Sequence, residues 1–156
     1  MKKTKYEHTA SIVARWFLNY NKLKTSEEGA ELISNLKLQK LLYYAQGCFL
    51  AFYDRPLFKD EIEAWAHGPV VPSVYREFKK NGSAGISEWK TIPSQIKFSE
   101  EEEDVLEKVY DYFGQFSAWK LRNMTHEETL WQETKKNDTI AIQLIEDYFK
   151  ETYVEE

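Results

Sequence analysis

The chain has 156 residues, of which 42% are hydrophobic and 15% aromatic, enough for one domain with a sizeable core. A formal net charge of -5 argues against sequence-independent nucleic-acid binding, which rests on neutralising phosphates, and suits a soluble protein with a basic partner. The single cysteine, Cys48, leaves no intrachain disulfide and fits the cytoplasm; no apolar signal core follows the N-terminal lysines, and no stretch nears the roughly 18 apolar residues of a membrane span, so no membrane association is expected.

Along the chain, Ile12, Val13, Trp16, Tyr20 and Leu23 recur at helical spacing and predict a helix from about His8 to Lys24. Glu27 to Leu32 reads as a short helical turn. Ser34 is a good N-cap for a second helix running to about Tyr53. Its stripe is Leu38, Leu41, Leu42, Ala45, Phe49 and Phe52, and its opposite side carries Leu36, Tyr43, Tyr44, Gly47 and Ala51. A helix apolar on most sides is central and buried. Gly47 in its middle costs about 1 kcal/mol against alanine, so it marks close approach of another element.

Asp54-Arg55-Pro56 makes a turn, and the alternation of Ile62, Ala64 and Ala66 with Glu63, Trp65 and His67 predicts a short strand. Pro72 opens a helix whose inner face is Val74, Tyr75 and Phe78, ended at Asn81-Gly82. Residues Asn81 to Phe98 are rich in turn formers and form a long excursion. Ser99 with Glu102 is a capping-box pattern, followed by Val105, Leu106, Val109, Tyr112 and Phe113, and Gly114 ends that helix. Ser117 opens a short helix through Met124. Thr125 with Glu128 reads as another capping box, and Asp138 as the cap of a last helix with Ile140, Leu144, Ile145 and Tyr148 inward. The expected fold is mainly α: a single compact helical domain over residues 1–156, with a central buried helix and a small β element.

Chemical machinery is sparse. His8, His67 and His126 are scattered, with no pair at the i, i+4 spacing of a helical zinc motif. No metal or cofactor is expected. His67 is either a polar contact in a groove or a turn histidine that packs locally. His126 reads as a first-turn residue at a helix start. An enzyme using His67 or His126 is the weakest alternative, because the sequence offers neither a nucleophile nor a water-activating partner. Cys48 reads as a buried structural thiol. Lys37 and Lys40 either face an acidic partner or, as preferred, reach solvent or pair with a carboxylate such as Glu63. Arg76, Lys79 and Lys80 read as the solvated face of a helix rather than a nucleic-acid surface.

Several motifs in order carry a family resemblance. Leu38-Gln39-Lys40-Leu41-Leu42-Tyr43-Tyr44-Ala45-Gln46-Gly47 is followed by Arg55-Pro56-Leu57-Phe58, Ile62-Glu63-Ala64-Trp65, Gly68-Pro69-Val70-Val71-Pro72 and Val74-Tyr75. Ser117-Ala118, Leu121, Thr125-His126-Glu127 and Trp131 come later. Together they resemble the Panacea domain, the SocA-like antitoxin domain also found in phage-associated proteins, over about Ile12 to Trp131. The sequence departs from that pattern at His67, where an aromatic is common, and at Thr129-Leu130, where a proline often precedes the tryptophan.

The resemblance implies a helical, non-enzymatic antitoxin of a toxin-antitoxin system, which neutralises a cognate protein toxin by direct binding. One branch of the family instead acts as an adaptor that delivers its toxin to a cytosolic protease. The motif residues Leu38, Gln39, Lys40, Leu41, Tyr44, Gly47, Gly68, Pro69, Val70, Thr125 and His126 are expected to form a shared scaffold. The candidate contacts to the toxin are Glu63, Trp65, His67, Tyr75 and Trp131, around a groove near Glu63 to Tyr75, because interface energy concentrates on aromatics. For Trp65 and Trp131 core packing is the competing role. For the adaptor, the tail Tyr153 to Glu156 is the candidate protease contact.

Overall fold

The computed structural model describes residues 8–154. Among them are seven α-helices and one two-stranded sheet, the mainly helical architecture expected. The organising element is α2 (Asn35–Tyr53), started by Ser34, whose hydroxyl accepts from the Lys37 amide. Every residue from Leu38 to Ala51 is buried, as its all-round apolar composition requires. Gly47 is glycine because a Cβ there would overlap the Phe149 ring. The stripe ends earlier than its periodicity implies: Phe52 is 53% exposed.

Around α2 lie α1 (Ala10–Glu28), α4 (Glu100–Phe113), α5 (Ala118–His126) and α7 (Ile142–Tyr153), with α3 (Pro72–Glu77) and α6 (Thr129–Glu133) as short connecting helices. α1 starts two residues later than predicted, at the Thr9 cap, and continues through Glu28 until Gly29 turns left-handed at φ 75; no separate turn forms over 27–32. Its buried face is Ala10, Ile12, Val13, Ala14, Phe17, Leu18 and Asn21, while Leu23 is exposed. The predicted stripe holds at Ile12 and Val13 and departs further along, where Phe17 and Leu18 are buried in place of Leu23.

The predicted strand is β1 (Glu63–Trp65), which pairs antiparallel with β2 (Gly68–Val70) through the two-residue turn Ala66-His67. The segment 137–140 runs beside β1: Asp138 O accepts from the Ala64 amide, and the Ile140 amide donates to Ile62 O. Asp138 is thus part of a sheet-like edge, not the cap of α7. That helix starts after Ala141 without a side-chain cap, and its inner face is Ile145 and Phe149, with Leu144 partly exposed. Tyr153 ends α7 and packs on Phe113 and Phe149, so the expected tail begins only after it; Glu155 and Glu156 lie outside the described residues, as do residues 1–7.

The Ser99–Glu102 capping box is present in both directions, and Gly114 closes α4. Tyr112, predicted inward, is 54% exposed. The second predicted capping box does not form. α5 continues past Met124 to His126, Thr125 lies within it, and the Thr125 hydroxyl donates to Arg122 O. His126 is consequently the last residue of a helix rather than a first-turn residue. The excursion after Asn81 holds no helix or strand up to Ser99, and Ile86 anchors it in the core, its amide donating to Ile33 O.

Candidate partner-binding surface

A second property of α2 positions the surface: its buried polar side chains act as clamps on backbone that helices and strands leave unpaired. Gln39 Oε1 accepts from the Val71 amide at 2.9 Å, and Gln39 Nε2 donates to Asn35 Oδ1. Asn35 Nδ2 donates to Tyr75 O, and Lys40 Nζ to Pro69 O at 3.1 Å. Two turns beyond Gln39, Gln46 Oε1 accepts from the Leu57 and Phe58 amides while its Nε2 donates to Phe58 O. A buried backbone group must find a partner, and α2 supplies partners along the hairpin and the turn before it. Gly68 completes the fit. Its φ of 108 excludes ordinary side chains, and a Cβ would meet Thr125 Oγ1 at 2.6 Å and Lys40 Cε at 2.8 Å.

Lys40 neither reaches solvent nor meets Glu63. It is fully buried, and burial, with repulsion from Arg122, pushes its amine down to about 7. Glu63 instead accepts from Trp65 Nε1 at 2.9 Å. Lys37 is half-buried and donates to Gly114 O. Further along α2, the Tyr43 and Tyr44 hydroxyls donate to the two oxygens of buried Glu128. Burial raises the Glu128 carboxyl, which these two hydrogen bonds only partly offset, and it holds the Tyr43 phenol well above its ordinary value. Cys48 is buried, its thiol pushed up to about 12 by burial and by Glu128.

Three of the five candidate contacts share a cleft. Trp65, His67 and Tyr75 line a hollow of about 310 Å³ together with Leu36, Gln39 and Lys79. The Trp65 and Tyr75 rings meet edge to face at 5.1 Å; both are half-buried and His67 is exposed. Glu63 and Trp131 do not line the cleft. Trp131 Nε1 donates to Trp65 O, its ring stacks on His126 at 4.0 Å, and Lys136 Nζ lies 3.8 Å from its centre. Trp131 therefore braces the hairpin. His126 Nε2 is buried without a hydrogen-bond partner among the described residues, and burial and Arg122 lower the imidazole pKa.

A larger groove of about 500 Å³ lies between α2, α4 and α7, lined by Cys48, Phe52, Val109, Tyr112 and Tyr153. The spacing of Phe52 and Tyr112 reads as inward, so no sequence signal marked them as a surface. The clamps Asn35 and Gln46, and Glu128, also lie outside the expected site residues; the signal available for the first two was a polar side chain set among continuous apolar positions of one helix.

No helix among the described residues is long and apolar enough to cross a membrane. The surroundings of α2 describe a packed scaffold that presents a hairpin, and the comparisons with known proteins agree on its class. The model of the antitoxin SocA-like, Panacea domain family matches residues 38–132. The chain belongs to that family. It is similar to Antitoxin SocA of Caulobacter vibrioides (strain NA1000 / CB15N), with 60% identity over 50 residues, 32% of this chain and 27% of the relative. The chain thus spans about a quarter of that relative's length. No solved structure matches it.

Proposed function

We propose that the chain is an antitoxin that neutralises a cognate protein toxin by direct contact, covering the toxin's active or membrane-binding surface with the cleft beside the β1–β2 hairpin. Family membership supports the antitoxin role. The observation that carries the mechanism is the division of labour within the motif: Gln39, Lys40, Gly68 and Thr125 are engaged in internal contacts, whereas Trp65, His67 and Tyr75 keep surface on an open cleft. Half-buried aromatics held by a rigid frame suit an interface, because they offer area without ordering cost. Nothing in this mechanism requires catalysis, a metal or a cofactor.

The test is co-expression with the tagged product of the adjacent gene, read by growth, pull-down and toxin level. Direct occlusion predicts that the neighbour arrests growth alone, and that this chain binds it and restores growth with its level unchanged. Tyr75→Asp should abolish binding, and Phe52→Asp, in the larger groove, should not. Rescue with a protease-dependent fall in toxin level would replace occlusion by adaptor action. Loss of rescue in Phe52→Asp alone would move the interface to the larger groove.

A further inference from the structure

The two ends of the domain treat charge differently. The ion pairs among the described residues involve His8, Lys24, Arg55, Lys108 and Lys150 with carboxylates on α1, α2's C-terminal cap, α4 and α7. None involves a cation of the hairpin and α5 face. There Arg122 Nε donates to His67 Nδ1 at 3.2 Å, and the guanidinium carbon lies 4.3 Å from the centre of the Trp119 ring. Trp119 is 56% exposed. Lys136 covers Trp131 nearby, and Lys40 is buried behind β2. Arg122 acts on both Lys40 and His126, and in each case disfavours the protonated form. A chain of net charge -5 thus presents Arg122 and Lys136, neither in an ion pair among the described residues, on the face that adjoins the aromatic cleft through His67.

Building on the antitoxin reading, we infer that this face receives an acidic segment of the protein partner, with a partner carboxylate seated on Arg122 against the exposed wall of Trp119. A planar guanidinium pairs with carboxylate through parallel hydrogen bonds. His67 takes the Nε donor and Asn123 one Nη1 donor of Arg122, which holds the fork in place and leaves Nη2 and the second Nη1 hydrogen for a carboxylate. The ring face of Trp119 keeps the guanidinium extended and lets apolar neighbours of the carboxylate pack beside it. A protein segment fits better than a nucleic acid, because the site centres on one guanidinium and the chain as a whole repels a polyanion. The face also explains how one domain selects a toxin: the cleft supplies apolar area, and Arg122 adds a demand for a carboxylate at a fixed distance from it.

The experiment uses the full chain, labelled with nitrogen-15, and three probes at constant ionic strength: a capped peptide alternating glutamate and leucine, its glutamine counterpart, and a single-stranded oligothymidylate. The readouts are the indole N–H of Trp119 and the Nε–H of Arg122. The expected result is a saturable shift of both signals with the glutamate peptide. Binding should be about tenfold weaker for the glutamine peptide and for R122Q, the loss of one charge-assisted pair. R122Q should keep the remaining amide spectrum. No saturable shift, equal binding of both peptides, or undiminished binding by R122Q overturns the inference, as does a response to oligothymidylate alone. Growth rescue separates the two layers. If R122Q neutralises the toxin as well as the parent chain, the acidic contact falls and the antitoxin reading stands. If the parent chain neutralises nothing, the antitoxin reading falls and the peptide titration still decides the chemistry of the face.

Discussion

Glu102 and Glu128 are both buried carboxylates, 2% and 7% exposed, and their surroundings drive them in opposite directions. Burial pushes each toward the neutral form. At Glu102 that push is overcome: Oε1 lies 3.0 Å from His8 Nε2 and accepts from the Ser99 amide at 2.8 Å, and Arg55 approaches the other oxygen. The carboxyl is held below its ordinary value. Glu128 is bonded by two phenols instead of a cation, and its pKa stays raised. Depth of burial is therefore a poor guide to ionisation. The balance of desolvation against donors decides it: His8, the Ser99 amide and Arg55 outweigh burial at Glu102, and two phenols do not at Glu128, which gives each glutamate its own signature on mutation and on pH.

The largest expected effect is at Glu128. Glu128→Ala leaves the Tyr43 and Tyr44 hydroxyls buried without partners and opens space in the core, costing about 3 kcal/mol in urea unfolding. Replacing both tyrosines by phenylalanine in the Glu128→Ala background should recover part of that loss, since the stranded hydroxyls are gone; a cost unchanged by the double replacement would show that packing, not hydrogen bonding, makes Glu128 valuable.

Lys40 extends the comparison to a buried cation with only a carbonyl to bond. Lys40→Met keeps the volume and removes the buried charge, a gain that outweighs the stranding of Pro69 O, so it should stabilise the fold by about 2 kcal/mol at pH 6. The sign follows from a folded pKa of about 7 below an unfolded value of about 10.4. The cost of the charge is fully present below pH 7 and is relieved as pH rises from there toward the unfolded value, so the advantage of Lys40→Met should shrink between pH 7 and pH 8.5. An advantage independent of pH over that range would mean that Lys40 stays protonated in the folded state, its amine not lowered by burial.

Glu102→Gln should cost about 1.5 kcal/mol at pH 7, the loss of charge-assisted hydrogen bonds. Its pH dependence should mirror that of Glu128→Gln. A depressed carboxyl stabilises above its unfolded value of about 4.3 and loses that contribution as pH falls through the folded value. A raised one does the reverse: its contribution is greatest at acid pH and falls as pH climbs from about 4.3 toward the folded value. Melting temperatures from pH 6.5 to pH 3.5 should show the gap between parent and Glu102→Gln closing while the gap to Glu128→Gln opens. Gaps that move the same way would erase the distinction between the two sites.

Much of the scaffold was legible in residues close together in sequence. Ser34 and Ser99 cap the helices their spacing predicts, Gly47 faces Phe149, and the β element lies at Glu63 to Trp65. Legibility failed where a distant partner decides. Thr125 and Glu128 have the same spacing as Ser99 and Glu102, yet α5 runs through Thr125 because Glu128 is claimed by two tyrosines 84 and 85 residues away. Asp138 was lost to β1 in the same way. Phe52 and Tyr112 have inward spacing, but no element covers them. Of the candidate contacts, Trp65, His67 and Tyr75 come together because they flank one hairpin, whereas Trp131 comes from α6 and reaches the far side of it. Arg122 and Trp119 carry no motif. Only the fold brings them to His67.

The smallest effect separates the two S/T-x-x-E patterns directly. Ser99→Ala removes a hydroxyl that accepts from the Glu102 amide at 3.1 Å, and an N-cap serine contributes about 1 kcal/mol. Ser99→Asp should restore the loss only in part, because the carboxylate that caps the amide also adds charge to a first turn already holding Glu100, Glu101, Glu102 and Glu103. Thr125→Val removes a hydroxyl that donates to Arg122 O from within α5. A carbonyl inside a helix gains little from such a back-bond, so the expected cost is about 0.5 kcal/mol or less. Equal costs at the two positions would mean that Thr125 supports the start of α6 as a cap does. A larger cost at Ser99 ties the difference to the free amides of a helix N-terminus, which α4 presents at Ser99 and which α5, passing through Thr125, does not.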